Sequence, residues 1–554
     1  MMNEKMKRLL AIVLSALMLV GMATACGNGS SSDPGTPAPA PSPTAGNQEG
    51  ASSPPPEMIQ VAPVEPDSVF ADHLDIVMTN DTVAVLNPTS PGANTTPVNW
   101  VFTMIYDRLI ERDHDTGEYM ASLATSWEST DFQTYTLTLR DDVYFHNGDK
   151  FTADDVVNTV HLAKEVGAGS PAGVQWAPVD TVKAIDPTTV EFVLGSVFVD
   201  FYFNLSMPSA GILNIRAVEA NSEEGTWVGT GPYVITEFVS NNFTRFARNE
   251  NYWNDEKNII TPSIVLRFVP EVSARTIRMQ NGESQLSFGV HSDDLYLFQE
   301  DPDNFEVVGL TFNFNNGVSF NMNDPITSDH NFRMAVAHAM EKNEIALFSA
   351  GEWARGAYDS GTIWGYQTEF RNDGIPAVPH DLDEAKRYLE LSSYNGEEIE
   401  IAASIITNIR AAQVLQEQLR LAGINTVVTE YDVPGMFAYM LNPNSGSQMG
   451  FFYIQMTYSS SSYRNLVGPG GAQNLMHYEN PIVTQMLDEA AAMTDTAQRE
   501  AHFLRIQELV AEDMPFINAF WRILGVVAAR GIGGITLPSD VAQLDLREIY
   551  MVIS

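Results

Sequence analysis

The sequence predicts an α/β protein that divides into more than one hydrophobic core, on three observations. Ala411, Leu415, Leu419 and Ala422 form the apolar stripe of a helix that stops at Gly423 and passes directly into a strand over 424–431. Residues 134–139 read as a strand, Asn147-Gly148 as a turn and Thr152 onward as a helix, so strand and helix alternate again. Finally, the roughly 480 residues beyond the N-terminal segment exceed what a single core accommodates.

The N-terminal segment sets the compartment. Lys5, Lys7 and Arg8 precede an uncharged apolar run over 9–22, the layout of a secretory signal and too short to span a membrane comfortably. The run ends in Ala23-Thr-Ala-Cys26, small residues before the only cysteine of the chain, and this resembles the lipobox of bacterial lipoproteins. That resemblance makes 1–26 a signal peptide with Cys26 the lipidated residue, anchoring the protein to the outer face of the cell membrane or in the periplasm. A cleaved signal followed by an incidental cysteine is the other reading. A lone cysteine in an exported chain has no disulfide partner, which favours modification. Residues 27–70 are rich in Ser, Pro and Gly and bury too little to fold, so they read as a disordered tether, semi-extended across Pro37 to Pro43.

Charge narrows the partners. Seventy Asp and Glu against thirty Lys and Arg give a formal net charge of -40. Such a chain repels phosphate backbones and anionic lipid heads, which excludes nucleic acid as a partner. The same charge serves solubility, or a field that favours cationic solutes.

In the folded part, Tyr135, Leu137 and Leu139 face one side of their strand and threonines the other. Thr152-Ala-Asp-Asp155 is a capping box whose helix turns Val156, Val160 and Ala163 inward. Asp186-Pro187 separates two strands of a hairpin, and Gly229-Thr-Gly-Pro232 is a tight turn releasing a strand over 233–239. A different texture begins near Phe314. Ser328 and Asp329 cap a helix with Phe332, Val336, Ala339 and Met340 on one face, and Asp381-Leu-Asp-Glu384 caps another carrying Ala385, Tyr388 and Leu389. Asn480-Pro481 opens a further helix, and 497–512 forms the last before Pro515. No short repeat recurs, which excludes a solenoid.

These segments resemble the family 5 extracellular solute-binding proteins, the group of dipeptide-, oligopeptide- and nickel-binding lipoproteins of ABC importers. The signature part is Leu123-Ala-Thr-Ser-Trp127, Tyr135-Thr-Leu-Thr-Leu-Arg140, Val143-Tyr-Phe-His-Asn-Gly148 and Phe151-Thr-Ala-Asp-Asp-Val156. Gly229-Thr-Gly-Pro-Tyr233, Arg248-Asn-Glu-Asn-Tyr-Trp253, Phe320-Asn-Met-Asn323, Phe332-Arg-Met-Ala335, Asp383-Glu-Ala-Lys386 and Ala511-Glu-Asp-Met-Pro515 follow in order. Physically, Trp127, Tyr135 and Phe145 read as core or strand-pairing aromatics and His146 as a turn histidine, so the signature identifies a scaffold and leaves the ligand open.

The resemblance implies a two-lobed, periplasmic-binding-protein-like α/β fold with a two-strand hinge. It places 71–315 with 516–554 in the first lobe, with an inserted subdomain at about 101–220, and 316–515 in the second. The hinge crossings fall near 312–320 and 515–521. It implies a monomer that captures a small solute, foremost an oligopeptide, between the lobes and delivers it to a permease with its ATPases, without catalysis, cofactor or metal.

Candidate ligand contacts follow from the same resemblance. Asn94, Thr95 and Trp100 belong to the family's first ligand-facing loop, and Trp364 and Tyr366 lie where relatives carry aromatic lid residues. Tyr453, Gln455, Met456, Tyr458 and Ser459 occupy the segment where peptide binders meet their ligand's ends, and Arg464 just beyond could clamp a carboxylate or lie on the surface. This segment departs from the family: relatives commonly present an aspartate to the ligand's ammonium, whereas 453–463 contains no carboxylate. An ammonium buried without a charged partner is costly, so an oligosaccharide, a metal chelate or a blocked or cyclic peptide stays open as a ligand. Sensing on the same scaffold is a further alternative. A secreted hydrolase is disfavoured: there is no Gly-x-Ser-x-Gly and no His-Glu-x-x-His, and Asp113-His-Asp-Thr-Gly-Glu118 lacks the later glutamate of a calcium loop and reads as a hairpin turn.

Overall fold

The computed structural model describes residues 67–554 except 79–84, 91–92, 94–95, 114–115, 168–169, 359, 364–369, 456–461, 472, 536–543 and 554. The segment read as a signal, Cys26, and the stretch read as a tether up to residue 66 lie outside the described residues.

One sheet of eleven strands organises the chain. In chain order its strands are β1 (His73–Met78), β2 (Tyr233–Val239), β3 (Phe243–Arg248), β4 (Ser263–Phe268), β5 (Leu286–Phe288), β6 (Phe305–Phe320), β7 (Ala354–Gly356), β8 (Ile399–Ala403), β9 (Thr426–Glu430), β10 (Met449–Gln455) and β11 (Phe516–Ala529). Across the sheet they run β9-β8-β10-β6-β11-β5-β1-β4-β3-β2, with β7 beside β11. The long strands β6 and β11 pair antiparallel in the middle, and each end of their ribbon carries a different set of neighbours.

Direction matters for function. β1 pairs in parallel with both β4 and β5, and β5 runs antiparallel to β11 from Ala528 toward Val526. β8 pairs in parallel with β9 and β10, and β10 runs antiparallel to β6 from Phe320 toward Phe314. All six parallel strands therefore point their carboxyl ends at the middle of the β6–β11 ribbon, which is where open α/β sheets leave a crevice.

Each half has its own cores. In the first, Leu74, Ile76, Trp100, Phe288 and Val526 are buried together. A separate four-stranded sheet (Ala124–Glu128, Thr134–Leu139, Thr189–Leu194, Val179–Asp186) forms another with Tyr135, Leu137, Val156, Val160 and Phe192. In the second half the two faces of the sheet are covered separately. Phe451 and Phe520 lie under Phe332, Ala411 and Leu415, and Phe452 and Ile454 under Tyr463 and Phe503.

Local sequence signals explain most elements. The Thr152 N–H donates to Asp155 at 2.9 Å and opens the helix Ala153–Val166. Asp381 accepts from the N–H groups of Asp383 and Glu384, and Gly423 ends the helix Ile406–Ala422 at φ 96°, a conformation that favours glycine. The Asp113 segment is a turn between Ile110–Arg112 and Tyr119–Ala121. Two details differ. Met340 follows the helix His330–Ala339 yet is buried in the same core, and in Leu382–Leu391 only Ala385 is fully buried, with Tyr388 stacked on His338 at 5.5 Å.

The signature blocks meet one another. Asp107 accepts from Tyr252 Oη at 2.9 Å, Trp253 Nε1 at 2.7 Å and Thr230 Oγ1 at 3.0 Å, and the Arg140 guanidinium lies 4.4 Å over the Trp253 ring. Burial pushes the Asp107 carboxyl above its ordinary pKa despite those donors. His146 accepts from the Gly229 N–H at Nδ1 (3.2 Å), so Nε2 carries the proton and donates to the Gly231 carbonyl at 3.0 Å. Close by in the chain's tail, Arg547 is 2% exposed and reaches Glu111 and Asp545 at 2.6 Å each. Its charge holds the Asp545 carboxyl down at about 2 and Glu111 well below the usual range, overcoming burial.

Two outcomes are expected. Arg547→Met strips the buried Asp545 carboxylate of its ion-pair partner and leaves Glu111 only Arg108 and Lys257, and should lower unfolding stability by about 3–5 kcal/mol in urea titrations; an unchanged midpoint would contradict this role. Burial pushes the His146 imidazole below its ordinary 6.5, so the folded protein resists a proton that the unfolded chain accepts. Stability is full above that value and declines as pH falls through it, and His146→Gln should make this decline shallower than in the parent.

Candidate functional site

The middle of the β6–β11 ribbon is built unlike its ends. Leu310 and Thr311 pair with Leu524 and Ile523, and pairing resumes with Asn315 opposite Trp521 and Asn316 opposite Phe520, so β6 places three residues against one, Arg522, a surplus of two. Polar residues collect here in strands that are otherwise apolar. Asn315, Asn316 and Asn518 are each at most 3% exposed. The Asn315 amide donates to the Ile363 carbonyl. Neither amide atom of Asn518 has a partner among the described residues. Buried polar groups in a strand centre are costly unless something needs them.

One rim is held by Gln507, fully buried in the helix Thr496–Asp513. Its Oε1 accepts from Thr362 Oγ1 at 3.0 Å and from the Asn372 N–H at 2.8 Å, and its Nε2 donates to the Phe370 carbonyl at 2.6 Å. A single amide thus fixes both flanks of 364–369. Beside it Phe370 stacks on Phe503 at 5.7 Å, and Arg371 lies 5.3 Å over Trp521 of β11. Arg499, 5.7 Å over the Phe370 ring, reaches Asp200 at 2.7 Å and so joins this helix to the layer built on the four-stranded sheet. An exposed pair at 3.3 Å, Arg410 with Asp293, bridges the two halves of the large sheet.

The residues singled out from sequence fall as follows. Asn94, Thr95, Trp364, Tyr366, Met456, Tyr458 and Ser459 lie outside the described residues. Tyr453 is half-buried near the end of β10, opposite Asn316, and Gln455 is the last residue of that strand, opposite Phe314. Trp100 is 2% exposed and packs 4.9 Å from Phe288, at the carboxyl end of β5. Arg464 is exposed on the helix Ser462–Val467, where Asp488 of a neighbouring helix accepts from its guanidinium. Sequence reading missed Asn315, Asn316, Gln507 and Arg522. The first two and Arg522 carried a signal, polar residues interrupting the apolar runs of 312–320 and 516–529, whereas Gln507 looked like any surface glutamine on a helix.

Among the described residues, no three His, Cys, Asp or Glu side chains gather to hold a metal ion, and no helix is long and apolar enough to cross a membrane.

Comparison with known proteins agrees with this architecture. A family model described as "Bacterial extracellular solute-binding proteins, family 5 Middle" matches residues 118–470. The dipeptide-binding protein of Escherichia coli is 27% identical over 365 residues, 59% of this chain and 66% of that protein. The haem-binding protein A of Haemophilus influenzae is 25% identical over 463 residues, 74% of this chain and 81% of that one. The ABC transporter substrate-binding protein CtaP of Listeria monocytogenes superposes with a TM-score of 0.77 at 22% identity, covering 87% of this chain and all of that one. The fold is thus the mixed α/β, two-lobed one.

Gln507→Leu keeps the volume and removes the three hydrogen bonds that hold the rim. Hydrogen exchange should quicken at 360–363 and 370–374, with a stability loss of about 1–3 kcal/mol. Unchanged exchange at both flanks would show that the rim is held by other contacts.

Proposed function

The chain belongs to the bacterial extracellular solute-binding proteins of family 5, and from that premise we propose that it captures an oligopeptide in the crevice at the middle of the β6–β11 ribbon and passes it to the permease of an ATP-driven importer. Its family binds solutes for ABC importers and is not one of enzymes. The observation that carries the proposal is the convergence of six strand ends from two separately packed halves on one polar, partly open stretch. A solute held there is shielded from both sides, which strengthens each polar contact, and closure is driven by contacts made only when the halves meet on it.

The lobes are read as 71–315 with 516–554 and as 316–515. The walls are Tyr453 and the segments around Asn94, Thr95 and Trp100, around Trp364 and Tyr366, and from Gln455 through Met456 and Tyr458 to Ser459. Cys26 is read as a lipid anchor and the following Pro- and Ser-rich stretch as a tether that keeps a monomeric binding unit near its permease. A second reading has specific support. With no carboxylate in 453–463, a free ammonium lacks its family partner, and relatives include proteins named for haem and for nickel.

Native mass spectrometry of the soluble protein, residues 27–554, purified from cells grown on peptide-rich medium, tests the choice. A co-purifying peptide of defined length is expected; a saccharide or a metal chelate as the sole bound species would overturn the peptide reading.

A further inference from the structure

Buried arginines in this protein are consistently partnered. Arg547 meets Glu111 and Asp545, Arg499 meets Asp200, Arg275 donates to the carbonyls of Val269, Pro270 and Gly289, and Arg333 to those of Thr327 and Asp513. Arg522 departs from the pattern. Among the described residues no carboxylate, carbonyl or hydroxyl accepts from its guanidinium, although the chain has seventy acidic residues to draw on. The side chain is nevertheless enclosed. Burial pushes its pKa below the ordinary value, and the phenol of Tyr453 is the charged or polar group that acts on it. It is also reachable, since the residue remains partly exposed.

Register fixes where it points. Phe520 is paired with Asn316, and Asn316 with Tyr453, so these three side chains share a face of the sheet. Arg522 stands two residues beyond Phe520 and four before Val526, hence on the same face. Phe520 belongs to a core of the second half and Val526 to that of the first, so Arg522 occupies the gap between two cores. The helix Ile406–Ala422 covers this face through Ala411, Ala412 and Leu415, and its first turn carries Thr407 and Asn408, at most 3% exposed, whose side-chain polar atoms have no partner among the described residues.

We infer that Arg522 is the anion-holding group of the crevice, and that the protein's ligand carries a carboxylate which the guanidinium grips from the ribbon itself. A desolvated guanidinium presents five donors in a fork that fits a carboxylate, and its enclosure is costly until such a partner arrives. The Tyr453 hydroxyl lies on the same face to share the anion. For a peptide the gripped group is the free carboxyl terminus, which fits a crevice whose other wall lacks a carboxylate for an ammonium. The inference rests on the crevice being the ligand's seat.

The test uses the soluble protein, unfolded and refolded to remove carried ligand, and four probe pools: random tetrapeptides with free carboxyl termini, the same peptides as C-terminal amides, oligosaccharides containing uronic acids, and neutral oligosaccharides. Native mass spectrometry reads capture. An acidic pool should be preferred to its neutral counterpart by at least about 30-fold, Arg522→Gln should abolish the preference, and Arg522→Lys should keep part of it. Thermal melting of each variant separates loss of binding from loss of folding, and Arg522→Lys, which keeps the charge and most of the volume, carries the test if Arg522→Gln does not fold. Capture of uronic oligosaccharides alone would sink the peptide reading and leave Arg522 in its role. Equal capture of acidic and neutral forms, capture of none of the pools, or an undiminished preference in Arg522→Gln would overturn the assignment.

Discussion

The pairing of β6 with β11 is the interaction on which the rest depends. Sixteen residues of one strand and fourteen of the other form a ladder that both halves of the large sheet use as their last strand. Because β5 attaches to one end of β11 and β10 to the opposite end of β6, the two halves grow away from a shared spine with their strand ends facing inward. A crevice follows from topology alone, before any ligand chemistry is considered. Were the two halves joined by an ordinary loop, nothing would hold the polar residues of the ribbon's middle in register with Tyr453.

Polar chemistry divides into two kinds. Around Asp107 and Arg547 every buried charge has an opposite charge or a donor within hydrogen-bond reach, and those residues join the first helix, the signature turns and the chain's tail into one body. In the ribbon's middle the accounting is left open: among the described residues Asn518 lacks partners and Arg522 lacks an acceptor. Satisfied networks rigidify a scaffold, while unsatisfied groups in an enclosed, reachable place are held ready for something that is not part of the chain.

Much of the fold was legible because local chemistry and tertiary packing agree. The capping boxes at Thr152 and Asp381, the stop at Gly423 and the alternation in Thr134–Leu139 each satisfy backbone groups or bury one face without help from distant residues. The family's signature motifs were legible too, and the structure explains them as mutual contacts, Tyr252 and Trp253 on Asp107 and His146 on the Gly229 turn. The candidate site was less so. Gln507 gains its importance from two loop flanks more than a hundred positions away, and such long-range convergence leaves no periodic trace in sequence; Arg522 interrupts an apolar run, but that it has no acceptor among the described residues is visible only in three dimensions. Arg464 shows the converse, a plausible clamp by position whose helix places it beside Asp488.

The surplus in β6 has a mechanical meaning. Between Thr311 and Asn315 the β6–β11 ladder has no rungs, and a second, smaller irregularity follows between Asn316 and Gly317. A beam notched at its centre flexes at the notch, and the slack of two surplus residues lets one edge lengthen as the other shortens. The compliant point and Arg522 are the same place, so whatever settles there lies on the pivot, where swinging displaces it least.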